Sequence, residues 1–509
     1  MSTNQTNSSL ASVIASSSVG TLIEWYDFYI FGFLAGPIGT HFFPAANQTA
    51  SLLSVFAVFA AGFIVRPFGA LFFGRLGDII GRKYTFLVTL IMMGTTTFAI
   101  GLIPGYATIG FLAPVLVLLM RLLQGLALGG EYGGAATYVS EHTDKSSRGF
   151  WTSWVQTTAT LGLFVALMVI YVTRNSMTKD SFGAEWGGWR IPFLMSIILV
   201  AVSIVIRLRM SESPLFSKLK EEGKTSPNPL KESFGNRENF RMVLLALFGA
   251  TMGQGVVWYT GQFYAHAFLK NTCNLAEDQA DSWVSIALLL GTGFFVFFGW
   301  LSDKIGRKII ILSGMALALL FIKPLFTQLY AVAAPKSKAN QENMDKRIGT
   351  ASHILAVNKI DSVAISDTTK FYSDGSIFKR KVETTLFADV TKKPAGYAPK
   401  VTAVMTLSES NKWAIIWPLF CLVIFVTMVY GPMAAFLVEL FPTRIRYSSM
   451  SLPYHIGNGV FGGLVPFLAT LIGTYNPTNP FAGLVYPIGV TALCLLIGAF
   501  LLPKNPSHA

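Results

Sequence analysis

Five ionisable side chains interrupt otherwise apolar runs of this chain: Glu24, Asp27, Arg66, Arg121 and Glu131. Inside a bilayer such a group costs on the order of a few kcal/mol unless it is paired or reaches water, so each marks a candidate site of chemistry. Carboxylates can take up and release protons, which makes Glu24, Asp27 and Glu131 candidates for proton coupling. Glu24 and Asp27 are one helical turn apart and share nearly the same face. Arg66 has a planar, forked guanidinium that suits a carboxylate, and is the first candidate for substrate contact. Glu131 lies in Gly129-Gly130-Glu131-Tyr132-Gly133-Gly134, where close helix packing explains the glycines and only the carboxylate asks for more. Tyr132, Gln156, Gln254, Tyr259, Gln262, Tyr264, Tyr454, His455 and Asn458 could complete a pocket, although taken singly such a residue more often serves as a hydrogen-bonding contact between helices. Arg190 either guides anions inward or simply snorkels.

Enzyme chemistry has no such footing. The six histidines lack metal-ligand spacing, no nucleophile and base stand together, and no phosphate-binding Gly-x-x-x-x-Gly-Lys loop is present. Cys421 and Cys494 fall in apolar runs and Cys273 stands alone in a loop, so no disulfide framework is expected. No catalytic residue, metal or cofactor is expected.

The elements that must hold these charges are membrane helices. Hydrophobic residues make up 52% of the 509 and charged residues only 13%, about half the share of a soluble domain. Apolar runs long enough to cross a hydrocarbon core of about 30 Å recur down the chain. Length and Pro, Gly or charged breaks place twelve spans: 14–40, 50–73, 84–103, 110–140, 149–173 and 189–208, then 241–269, 281–300, 309–330, 412–438, 448–473 and 481–502. The fold class is an all-α polytopic membrane protein. Residues 1–209 form one six-helix bundle, 210–240 a linker, and 241–509 a second six-helix bundle carrying an insert at 331–411. The net charge of +13 is spread over loops, which argues for membrane topology rather than nucleic acid. Basic residues such as Arg75, Arg82, Lys145, Arg207, Arg209, Lys218, Lys304 and Arg444 fall in loops on one side; by the positive-inside rule both termini are cytoplasmic. Met1–Leu10 is polar and reads as no removable signal peptide. The insert falls outside despite its basic residues, as loops over about 60 residues can. Ile354–Ile365 and Ile377–Val390 in it have the composition of strands.

The chain also repeats itself. Gly74–Lys83 reads GRLGDIIGRK and Gly299–Lys308 reads GWLSDKIGRK, matching at seven of ten positions with an offset of 225. Glu141 and Arg148 after the fourth span echo Glu439 and Arg446 after the tenth with an offset of 298. The difference, 298 − 225 = 73, is a net insertion between Lys308 and Glu439, where the polar stretch lies. Asp78 is expected near the start of the eleventh span at Tyr447–Ser449, where free amides and the helix dipole favour a carboxylate. Asp303 is expected, by symmetry, at Gly149–Trp151.

Several stretches together resemble the major facilitator superfamily, specifically its metabolite:proton symporters, which include α-ketoglutarate, citrate, shikimate and proline/betaine carriers. They are Glu24-Trp25-Tyr26-Asp27-Phe28, Arg66-Pro67-Phe68-Gly69-Ala70, Arg121-Leu122-Leu123-Gln124-Gly125 through Gly134, Trp189-Arg190-Ile191-Pro192-Phe193, and Glu439-Leu440-Phe441-Pro442-Thr443-Arg444, besides the repeated loop. The insert departs from the family pattern. The resemblance implies proton-coupled import of a small organic acid by alternating access, in a bacterial inner membrane, by a monomer whose partners are the solute, protons and lipid. It implies an Asp27–Arg121 pair that protonation releases. It also makes Arg66 a gate residue as an alternative to a ligand, and makes Gly74, Asp78, Gly81, Arg82, Lys83, Arg148, Asp303, Gly306, Arg307, Glu439 and Arg446 parts of a cytoplasmic latch. The alternatives are a zwitterionic osmolyte (proline or betaine) and a transporter-like sensor. Osmosensing relatives carry a long C-terminal extension, whereas this chain ends shortly after Lys504, which favours organic acids.

Overall fold

The computed structural model describes residues 10–43, 48–208, 212–342, 348–355, 362–387 and 399–503; Met1–Ser9, Arg209 and Lys504 lie outside these. Twelve helical spans run through it. The first six are Leu10–Phe33 with its continuation Ala35–Phe42, Gln48–Ile79, Arg82–Leu102, Leu112–Glu141, Arg148–Asn175 and Ile191–Leu208. The second six are Arg237–Thr272, Glu277–Ile305, Arg307–Ala333, Lys412–Tyr430 continued by Met433–Leu440, Arg446–Tyr475, and Val485–Leu501. Eleven are long and apolar enough to cross a membrane by themselves. The first, which carries Ser16, Ser17, Ser18, Glu24 and Asp27, is the exception.

The repeated loops turn on glycine. Gly81 and Gly306 both adopt positive φ, 124° and 102°, which a residue with a Cβ rarely tolerates. They reverse the chain between spans two and three and between spans eight and nine. Gly129 serves a different end. A Cβ there would lie 2.2 Å from the Arg66 carbonyl oxygen and 2.6 Å from the Ala70 nitrogen, so spans two and four touch backbone to backbone. This contact sets Arg66 beside the fourth span. The face carrying the repeated loops is called the motif face below, and the opposite one the insert face.

Between spans nine and ten lies a four-stranded antiparallel meander, β1 (Ile348–Leu355), β2 (Ser362–Phe371), β3 (Ile377–Leu386) and β4 (Lys400–Thr406). Of the strand-like segment Ile354–Ile365, Ile354 and Leu355 end β1 and Ser362–Ile365 begin β2, while 356–361 lie outside the described residues. The expected strand Ile377–Val390 corresponds to β3, which ends at Leu386, and β4 was not anticipated. The sheet is clasped to the second bundle. Ala276 N–H donates to the Met405 carbonyl at 2.8 Å and Met405 N–H to the Asn274 carbonyl at 2.6 Å. Gln279 and the Leu407 backbone exchange two further hydrogen bonds at 2.8 and 2.9 Å. Lys338 pairs with Asp374, which also accepts from the Asn411 side chain at 2.8 Å. Met405 is fully buried and joins the same apolar core as Cys273 and Leu275.

Candidate functional site

On the motif face two matched polar networks join the bundles. Asp78 accepts hydrogen bonds from the amides of Tyr447 at 3.3 Å and Ser448 at 2.8 Å. Asp303 accepts from the amides of Gly149 and Phe150, both at 2.8 Å. Each carboxylate thus sits on the free amides that begin a helix of the opposite bundle, where the dipole favours negative charge. One helical turn on, Arg82 lies 3.3 Å from Asp78 and 3.4 Å from Glu141, and Arg446 donates to Glu141 at 3.1 Å. The symmetric set repeats this: Arg307 lies 2.7 Å from Asp303 and 2.9 Å from Glu439, which Arg148 approaches at 3.5 Å. Each network holds two carboxylates and two guanidiniums, so both are neutral while buried. Lys83 points elsewhere, donating to the Leu208 carbonyl at 3.1 Å. Gly74 packs against the eleventh span, its ideal Cβ 2.9 Å from Ser448 Cα.

Midway through the bundles lies a cavity of about 30 Å³, lined from both bundles by Glu24, Arg66, Tyr132, Tyr259, His455 and Asn458, with Thr21, Trp25, Leu128, Trp258, Tyr430 and Tyr454 completing it. It has room for only a water or two. Arg66 stands over the rings of Phe63 at 4.3 Å and Phe28 at 5.1 Å. Among the described residues it has no ion-pair or hydrogen-bond partner, and its buried Nε and Glu24 Oε2 are both unsatisfied. Aromatic rings wall the rest. Tyr132 stacks on Tyr454 across the bundles with centroids 3.5 Å apart, and Tyr454 and Tyr430 share a 2.7 Å hydrogen bond. Toward the insert face Trp25 meets Trp258 at 5.6 Å and Tyr29 stacks on Phe263 at 6.4 Å. These contacts join the bundles on that side of the cavity, as the twin networks join them on the other.

Other expected residues fall elsewhere. Gln156 is one step back from the cavity, donating to the Tyr132 hydroxyl at 2.9 Å. Gln254 and Asn458 bond each other through both amide atoms at 3.1 and 2.9 Å. Gln262 and Tyr264 lie outside the cavity lining, farther along the seventh span; Tyr264 stacks on Phe326 instead. The Asp27–Arg121 pair is corrected, since no such ion pair forms. Asp27 is fully buried, forms no ion pair among the described residues, and has the Thr97 hydroxyl beside it. Arg121 donates to Gln124 at 2.6 Å and lies 4.2 Å above the Phe31 ring. Glu131 pairs with Arg207 at 2.6 Å and accepts from Thr89 at 2.8 Å. Arg207 is therefore no loop residue: it turns inward from the end of the sixth span and is buried. Arg190 is also buried, bound by the carbonyls of Glu185, Gly101 and Ile103 at 2.6, 2.9 and 2.7 Å, which makes it a structural tie. Sequence reasoning missed Trp258 and Tyr430 as cavity walls.

Family models described as "Sugar (and other) transporter" and "MFS/sugar transport protein" match residues 13–228 and 131–334. The chain is 38% identical over 322 residues to the alpha-ketoglutarate permease of Escherichia coli, covering 63% of this chain and 72% of that protein. It is 30% identical over 457 residues to the citrate-proton symporter of Salmonella typhi, covering 89% and 85%. It is 33% identical over 313 residues to the proline/betaine transporter of Salmonella typhimurium, covering 60% and 62%. Among solved structures, the proton:xylose symporter XylE superposes with a TM-score of 0.65 over 98% of each chain at 15% identity, a likeness of fold. With twelve spans in two pseudo-repeated bundles, the chain belongs to the major facilitator superfamily, among its metabolite transporters.

Proposed function

We propose that the protein is a proton-coupled symporter that imports a small organic acid by alternating access, with the motif face toward the cytoplasm and both termini on that side. The observation that carries this reading is the Arg66 guanidinium, which lines the cavity between the bundles with no ion pair or hydrogen bond among the described residues and shares that cavity with the carboxylate of Glu24. A cavity-facing guanidinium that no side chain binds directly is free to take an anion, and its fork matches a carboxylate. Relatives named for α-ketoglutarate and citrate carry such solutes. Glu24, facing the same cavity, and Asp27, buried one helical turn on in the same span, are the groups to take the proton. The Glu131–Arg207 pair is then a fixed brace or a second proton site released only when the bundles part.

The test is uptake into proteoliposomes. Arg66→Ala leaves the solute's carboxylate unpaired in a desolvated site, a loss of about 3 kcal/mol, so kcat/KM for the carried carboxylate should fall about a hundredfold. Unchanged kinetics would reassign Arg66 to structure. A second reading has its own observation: Trp25, Trp258, Tyr259, Tyr430 and Tyr454 wall the cavity, and such rings suit a quaternary ammonium. Competition between glycine betaine and dicarboxylates for the same uptake separates the two.

A further inference from the structure

The sheet leaves a second, larger cavity on the insert face. It measures about 830 Å³, within the usual size range of small-molecule sites, and it is lined entirely by the second bundle and its insert. Residues paired across a β-ladder share a face. Lys370 pairs with Phe378, Phe378 with Met405, and Arg380 with Ala403, so Lys370, Phe378 and Arg380 form one surface, and all three line the cavity. The opposite wall is the outer ends of spans seven, nine and eleven, including Tyr264, Phe268 and Tyr330. The backbone clasp at Met405 and the Lys338–Asp374 pair fix this wall and roof to the same bundle, so the cavity is a formed cleft.

Its charge is one-sided. Lys336, Lys370 and Arg380 face it against the single carboxylate of Glu342, which Lys370 neutralises at 2.6 Å. Lys336 and Arg380 keep no ion-pair partner among the described residues. Cations beside aromatic surface suit a small organic anion, with the carboxylate on the cations and the carbon body on the rings.

We propose that this cleft is a second anion-binding site, external to the transport cavity, that takes a small carboxylate from outside. Its choice of anion rests on the organic-acid reading above; the cleft itself does not. The seventh span gives it a mechanical link to the transport cavity: Trp258 and Tyr259 line the one, Tyr264 and Phe268 the other, and wide turns at Thr260–Tyr264 lie between them.

Equilibrium dialysis of the full chain in neutral-lipid nanodiscs, with radiolabelled citrate and 2-oxoglutarate as probes, reads the number of sites. The parent should bind two equivalents. The double variant Lys336→Glu/Arg380→Glu, altered only at exposed side chains, should bind one, and Arg66→Ala should lose the other. In uptake the double variant should raise KM five- to tenfold with kcat unchanged. One equivalent in the parent, or two retained by the double variant, overturns the proposal. So does loss of the second equivalent on adding phosphatidylglycerol, which would give the cleft to a lipid headgroup. Binding that survives Arg66→Ala but not the double variant, in protein that takes up no carboxylate, would sink the transport reading and leave the cleft standing.

Discussion

Arg66, Glu24 and Asp27 occupy one small volume yet meet different surroundings. Arg66 and Glu24 face the cavity, whereas Asp27 is enclosed, with no cation against it. A carboxylate set within a span and free of any ion pair is a group that can take up and release a proton as the bundles rearrange, and Asp27 suits that role. Asp27→Asn imitates the protonated state permanently. It should abolish accumulation driven by a pH gradient while sparing counterflow exchange of labelled solute, both measured in proteoliposomes. Full accumulation by the variant would remove Asp27 from the coupling step. These three residues were legible because a charge within an apolar run stands out. Arg207 was not, since it closes an apolar span next to a basic linker and looks like any cytoplasmic-flank arginine. Trp258 and Tyr430 were hidden for the opposite reason: aromatic residues are common throughout the spans, and only packing reveals which ones wall a cavity.

At the scale of elements, helices were read from length and apolarity, and the twelve expected spans match the observed ones to within a few residues at most ends. Local departures from the α-helix were not readable. Spans seven and eleven contain wide turns, among them Thr260–Tyr264 and Ile456–Gly462, and length and apolarity alone do not distinguish these from regular helix. The insert was legible as polar and strand-bearing, while its clasp depends on Asp374, a turn residue in a loop of ordinary composition. Burial raises the Asp374 carboxyl, but the Lys338 ammonium, the Ser376 amide and the Asn411 side chain outweigh it and hold it well below the usual carboxylate range. Its folded value therefore lies below that of an unfolded aspartate, about 3.9. Its contribution, about 1 kcal/mol for a partly exposed pair, is complete above that value and lost only as pH falls through the lower folded one. Hydrogen exchange at Tyr372 and Ser376 should show the clasp intact at pH 5 and loosening in stronger acid. In Asp374→Asn the same amides should exchange faster than the parent's at pH 5, without the acid step, so that the two converge in stronger acid.

For the whole molecule, the twin networks are the most informative feature, because they are built from both bundles and obey the sequence repeat. The offsets of 225 and 298 name the same four positions in each network: Asp78, Arg82, Glu141 and Arg446 against Asp303, Arg307, Glu439 and Arg148. If the bundles rock as rigid bodies, the two networks must open together. Asp78→Asn removes a charge that accepts two amide hydrogen bonds, each on the order of 1.5–3 kcal/mol. A net loss of about 2 kcal/mol would raise the open population roughly thirtyfold. Ser448 and Ser302 report on the two networks separately, since both are fully buried, one beside Asp78 and the other beside Gly149. With the native cysteines replaced, Ser448→Cys and Ser302→Cys should each be nearly inert to an impermeant thiol reagent applied to the motif face. Adding Asp78→Asn should speed labelling at both positions by similar factors, although Ser302 touches nothing in the weakened network. Faster labelling at Ser448→Cys alone would mean that the eleventh span frays locally, and rigid-body rocking would be wrong for this face.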